Sequence, residues 1–189
     1  MDRIDAALLP PTIRSRFVEG INGLRMHVLE AGFETKGRPC VLLLHGFPEL
    51  AYSWRKVMPA LAAAGYHVIA PDQRGYGRTT GWDADYGGDL NSFRLLNLVR
   101  DALGLVSAFG YASVAVAGHD FGSPVAAWCA LVRPDVFRRG VTLDGGNGLQ
   151  LRALSEHMGR ARLSRGLPRK IRRSAGGLRL CLREHTATS

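Results

Sequence analysis

Between Cys40 and Leu143 the chain alternates short apolar runs with stretches of helical spacing, and three of the runs end in loops that carry glycine. That alternation restricts the fold more than any other feature. Cys40 to Leu44, Tyr66 to Ala70, Ser113 to Ala117 and Gly140 to Leu143 read as strands, the first suited to burial on both faces. Between them, Trp54, Val57, Leu61 and Ala64 recur at helical spacing and stop at Gly65. Phe93, Leu96, Val99, Leu103 and Val106 mark one face of a second helix, which Asn91 would cap and Gly110 would end. A third helix is expected over Ser123 to Val132. Upstream, Arg16 to Glu19 and Leu24 to Leu29 flank Ile21-Asn-Gly23 as a hairpin. Strand, helix, strand in repetition predicts a mostly parallel α/β sheet flanked by helices, with chemistry at the carboxyl ends of its strands.

The chain has 189 residues, 46% hydrophobic and 22% charged, which suits a single folded core. Its longest strongly apolar run, Val41 to Leu44, is too short to cross a bilayer, and the N-terminus lacks the apolar stretch of a signal peptide, so a cytoplasmic location is expected. Cys40, Cys129 and Cys181 lack metal-ligand spacing, and the first two sit in apolar segments as buried free thiols. The net charge of +9 is unevenly placed. Residues 1–146 carry 15 Lys/Arg against 14 Asp/Glu, whereas residues 147–189 carry 10 against 2. Basicity therefore belongs to the last segment, and an inference to a polyanionic partner extends no further.

The loops at the strand ends are His45-Gly-Phe-Pro-Glu49, Asp72-Gln-Arg-Gly-Tyr-Gly-Arg-Thr79 and Gly118-His-Asp-Phe-Gly122. In the last, Asp120 occupies a strand-to-helix corner between two glycines. Such a corner exposes one side chain beside the N–H groups that open a helix, and small neighbours keep it free of clashes. A serine there attacks carbonyl carbon. A carboxylate instead attacks saturated carbon, needs no deprotonation at neutral pH, and leaves an alkyl ester that water must cleave. Pro124 falls in the first turn of the following helix, where a missing N–H costs little.

With these three loops in this order, residues 15–144 resemble the α/β-hydrolase superfamily, and within it the soluble epoxide hydrolases, with haloalkane dehalogenases as close relatives. The resemblance implies a hydrolase that needs no cofactor and no metal and acts on a small-molecule epoxide or related electrophile. It makes Asp120 the nucleophile and the backbone N–H groups of Phe47 and Phe121 the oxyanion hole. His45, Gly46, Pro48, Gly118, His119 and Gly122 would shape the site. Arg74, Tyr76 and Arg78 would set loop shape and ion pairs, and Trp54 and Trp128 would be core or pocket wall.

The resemblance also implies parts that this sequence does not offer: two lid tyrosines as acid, a late histidine as base and a carboxylate to orient it. No tyrosine follows Tyr111, and the only downstream histidines are His157 and His185. Asp135, after Pro134, is expected at the surface, and Asp144 would be a displaced orienting acid at best. The expectation is thus a partial α/β-hydrolase core over 1–146, cut after its sixth strand, followed by a basic, low-complexity, disordered segment over 147–189 that an altered reading frame would explain. Three function classes follow. The chain is an epoxide opener that is inactive or limited to one turnover, with a haloalkane dehalogenase-like hydrolase as its neighbour; or a non-catalytic fragment; or a binder of nucleic acid or an anionic surface through the tail.

Overall fold

A computed structural model describes residues 2–143. Strands β1 (Ile13–Ile21) and β2 (Leu24–Ala31) form the expected hairpin. Asn22 and Gly23 between them have φ of 51° and 84°, the left-handed pair that a two-residue turn requires to match strand twist. The remaining strands are β3 (Cys40–Leu44), β4 (His67–Pro71), β5 (Val114–His119) and β6 (Phe137–Leu143). They assemble in the order β1-β2-β4-β3-β5-β6. The first two pairings are antiparallel and the other three parallel, so the sheet is of the mostly parallel kind expected. Strands β1 and β6 begin earlier than the sequence pattern indicated. Arg14 and Arg16 in β1 interrupt the apolar pattern without interrupting the backbone ladder, whereas in β6 the ladder skips Arg138 and passes from Phe137 to Arg139.

Among the described residues three α-helices cover the sheet: α1 (Met58–Ala63), α2 (Leu95–Ala108) and α3 (Gly122–Val132). Helix α1 and the preceding turn Ala51–Lys56 pack Trp54, Met58 and Ala62 against Leu29, Leu43, Val68 and Ala70. Helices α2 and α3 pack Leu98, Ala102, Leu105, Val125 and Cys129 against Leu42, Leu44, Ile69 and Val116 on the other face. Side-chain alternation along β3 supplies both cores, and removing one such leucine to alanine costs about 2–5 kcal/mol.

The predicted helical faces are rotated in the structure. Met58 and Ala62 are buried, the expected Val57 and Leu61 are half-buried against the same core, and Ala64 is exposed. The chain winds as a tighter 3-10 turn until Lys56 and becomes α-helical only near Pro59, which shifts the phase. In α2 the buried stripe is Leu98, Val99, Ala102, Leu105 and Val106, whereas Leu96 is 55% exposed. Phe93 belongs to a separate turn, Leu90–Phe93, capped by Asp89 Oδ1 accepting from the Asn91 N–H at 2.8 Å, so Asn91 is not the capping residue. Gly110, φ 75°, closes α2 as expected. Trp54 is core, but Trp128 is 41% exposed on the outer side of α3, because that helix buries Val125, Ala126 and Cys129 instead.

Cys40 and Cys129 are buried and free. Asp135 is exposed and paired with Arg133 at 2.6 Å. No helix among the described residues is long and apolar enough to cross a membrane. Asp144, the boundary at residue 146, Cys181, and the basic segment 147–189 with His157 and His185 lie outside the described residues.

Candidate active site

The connection after β3 leads to β4 on one side, and the next crossover places β5 on the other. Loops leaving β3 and β5 therefore diverge, and the crevice at their carboxyl ends is where such sheets bind ligands. The His45 loop and the Asp120 corner meet there. Asp120 has φ of 49°, a left-handed conformation uncommon for a residue with a side chain. Its backbone C=O accepts from the Ser123 N–H at 2.9 Å, which starts α3 immediately after the corner. Its side chain is exposed, and Oδ1 accepts from the Phe47 N–H at 2.8 Å. That hydrogen bond, followed by one from the Phe121 N–H, holds the carboxyl below the ordinary carboxylate range. The helix start adds a favourable dipole for the same charge.

Close approach explains the glycines. A Cβ on Gly46 would stand 2.6 Å from Asp120 Cβ and 2.9 Å from Oδ1. One on Gly122 would reach within 2.4 Å of the Leu44 carbonyl, and one on Gly118 within 2.0 Å of the Gly122 carbonyl. The first turn of α3 is thus pressed onto the ends of β3 and β5, which is what aims Asp120 at Phe47. Pro48 follows Phe47 through a cis peptide bond.

His45 is fully buried, with Nδ1 2.9 Å from the Gly46 carbonyl and Nε2 accepting from the Gln73 N–H at 3.0 Å. Those partners fix one neutral tautomer, Nδ1–H, and burial lowers its pKa further from the charged form. Gln73 returns a bond from Nε2 to the His45 carbonyl at 2.7 Å. His119 places Nδ1 3.1 Å from Glu49 Oε2. Asp72 organises the third loop from inside: Oδ2 receives His27 Nδ1 at 2.8 Å and the Arg78 N–H at 3.0 Å, and Oδ1 receives the Ala51 N–H at 2.9 Å. Arg74 makes the expected ion pair, bidentate to buried Asp101. Arg78 makes none among the described residues; its Nε donates to the Asp2 carbonyl instead. Tyr76 rests its ring against His45 and Phe121, with centroids 5.0 and 6.2 Å away.

All nine residues singled out in the His45 and Asp120 loops converge at this crevice. Glu49 and Gln73 were missed as site residues. Glu49 stands beside Pro48 in the loop already marked, but nothing local in the sequence ties it to His119, 70 positions away. Among the described residues no group of three or more His, Cys, Asp or Glu is arranged to hold a metal ion.

The family model described as alpha/beta hydrolase fold matches residues 39–166. Epoxide hydrolase A of Mycobacterium tuberculosis is 48% identical over 109 residues, covering 58% of this chain and 31% of that protein. Among solved structures, Epoxide Hydrolase A from Mycobacterium thermoresistibile superposes with a TM-score of 0.62 at 43% identity, over 70% of this chain and 39% of that one. Potato epoxide hydrolase I gives 0.60 at 40% identity, over 70% and 39%. The chain belongs to the α/β-hydrolase family. Within that family it is epoxide hydrolase-like, and it spans about a third of the length of the curated relatives it matches.

Proposed function

We propose that this chain opens small-molecule epoxides through an ester on Asp120, once per molecule. The observation that carries the reading is the exposed Asp120 carboxylate at a left-handed corner, with Oδ1 on the Phe47 N–H at 2.8 Å. Oδ1 stays on the Phe47 N–H, with the Phe121 N–H on the same carboxylate, while the other oxygen attacks a ring carbon. Charge returning to Oδ1 when water later adds to the ester would be met by the same two donors, each worth about 10²- to 10³-fold in rate in such sites. The named epoxide hydrolases among the relatives support the choice of substrate.

The limit to one turnover rests on the histidines. Of the four described, His27, His45 and His67 have both ring nitrogens engaged, and His119 Nδ1 faces Glu49. None of these three engaged rings is placed to take a proton from an attacking water. A core over 1–146 followed by a separate basic segment, and a cytoplasmic location supported by two free thiols, belong to the same proposal.

Intact-mass measurement of the full chain after incubation with styrene oxide tests it. One stable adduct on Asp120, absent from Asp120→Asn, is expected. No adduct, or one that persists in Asp120→Asn, would overturn the nucleophile; sustained diol release would overturn the limit to one turnover.

A further inference from the structure

Asp120 is aimed by the Phe47 N–H, so the direction of that donor matters as much as the carboxylate itself. Two peptide planes lead to it. In a trans peptide the C=O and the N–H that follows point in opposite directions, so fixing a carbonyl also fixes its N–H. The Gly46 carbonyl shares a plane with the Phe47 N–H, and it accepts from His45 Nδ1 at 2.9 Å and from the Glu49 N–H at 3.0 Å. The His45 carbonyl governs the plane before it. Strands β3 and β4 pair as far as Leu42 and Ile69, so their ladder ends three residues short of His45. Gln73, only 5% exposed, takes over where the ladder stops. Its Nε2 donates to the His45 carbonyl at 2.7 Å, and its backbone N–H donates to His45 Nε2 at 3.0 Å. A carbonyl can only accept, so the amide nitrogen is the atom that faces it. One residue of the loop after β4 thus holds both planes, the first through the carbonyl and the second through the His45 ring.

Resting on the reading of Asp120 as nucleophile, we propose that Gln73 is its positioning residue: the side-chain amide orients the His45–Gly46–Phe47 backbone so that the Phe47 N–H holds Asp120 in line for attack. Gln73 acts through the peptide planes and not on the reacting atoms. There is no slack between those planes and the carboxylate, since a Cβ on Gly46 would stand 2.6 Å from Asp120 Cβ and 2.9 Å from Oδ1. A turn of the His45–Gly46 plane is therefore passed on to Asp120. A side chain at position 73 that cannot donate takes this partner from a buried carbonyl, and the plane turns in compensation.

A donor that pH switches on separates this role from mere packing. In Gln73→Glu the carboxyl can donate to the His45 carbonyl only when protonated, and as an anion it repels that oxygen; burial favours the neutral acid, which brings the change into an accessible range. Gln73→Met keeps the length of the side chain and never donates. The full-length parent and both variants are treated with phenacyl bromide, which expels bromide without an acid, at about pH 5 and about pH 8, and the Asp120 ester is followed by intact mass with Asp120→Asn as the blank. We expect the parent to react at the same rate within about twofold at both, and Gln73→Met to be about 10-fold slower at both. Gln73→Glu should be about 10²-fold slower at the higher pH and return to within about threefold of the parent at the lower. The Phe47 amide proton, followed by heteronuclear NMR, should move upfield in Gln73→Met and recover in Gln73→Glu as the pH falls. Recovery within one variant is a result that a fold damaged by the substitution would not give. Parent-like labelling of Gln73→Met, equal slowing of Gln73→Glu at both pH values, or an unmoved Phe47 amide would each overturn the proposal. Failure of the reagent on the parent chain itself would defeat the nucleophile reading, and Gln73's part in the reaction with it.

Discussion

Asp120 Oδ1 accepts from the Phe47 N–H at 2.8 Å across 73 positions of sequence, and Gly46 is what lets the two loops come that close. A methyl group at residue 46 would meet Asp120 Cβ at 2.6 Å and the His119 carbonyl at 3.0 Å. Neither neighbour is the free end of a flexible side chain, so the loops must part. Gly46→Ala is expected to lower stability by about 1–3 kcal/mol, as overpacking does. It should also slow Asp120 labelling by about 10²-fold, because parting the loops displaces the carboxylate from its line of attack. Urea unfolding and adduct mass together check this; labelling at the parent rate would show that the Phe47 contact is dispensable.

The same contact sets how reactivity follows pH. The Phe47 N–H, then the Phe121 N–H, favour the charged form, so Asp120 stays a carboxylate to below its ordinary value of 3.8. Labelling by an alkyl bromide, which needs no acid, is expected to be flat from neutral pH down to that value and to decline only beneath it. A midpoint near or above 5 would mean that the donors do not hold the carboxylate.

How much of this was legible from sequence depends on the range of the signal. Asp120, its flanking glycines and the following helix lie within a few residues of one another, so turn geometry and helix chemistry could be read directly. The strands were legible for the same reason. The faces of α1 and α2 shift because Val57 and Arg94 divide each helix from a preceding 3-10 turn, and a fixed helical period does not register such a division. The Glu49–His119 pair, the Gln73 clamp on His45 and the position of Tyr76 against Phe121 depend on loops brought together by the sheet order. Sequence spacing carries no trace of those contacts.

Buried thiols give a stoichiometric test of the core. Burial pushes both Cys40 and Cys129 up to about 12, with the Glu30 charge adding to the effect on Cys40. Neither is a thiolate at neutral pH, and neither is accessible. Iodoacetamide followed by peptide mapping is expected to modify neither in native buffer and both in denaturant. Native modification of Cys129 would mean that α3 does not stay packed on the sheet.

Asp72 predicts how the fold responds to acid. Burial opposes its charge, but His27, the Arg78 N–H and the Ala51 N–H outweigh that and hold it below 3.8. Glu30 follows the same pattern: burial is outweighed by His67, Arg14 and Arg16, and its pKa lies below 4.5. Both groups take up protons more readily in the unfolded chain. Their stabilisation is therefore complete above those ordinary values and is lost as pH falls through the folded ones. Melting temperature should be level from pH 7 to about 5 and fall steeply below about 4. Asp72→Ala leaves His27 and two backbone N–H groups without their acceptor inside the fold. It should cost about 3–5 kcal/mol, or roughly 6–20 °C in Tm, and make the acid limb shallower because one of the two linked carboxylates is gone. A variant that melts within a few degrees of the parent at pH 7 would show that the loop after β4 holds its shape without Asp72, and that Tyr76 is positioned by its ring contacts alone.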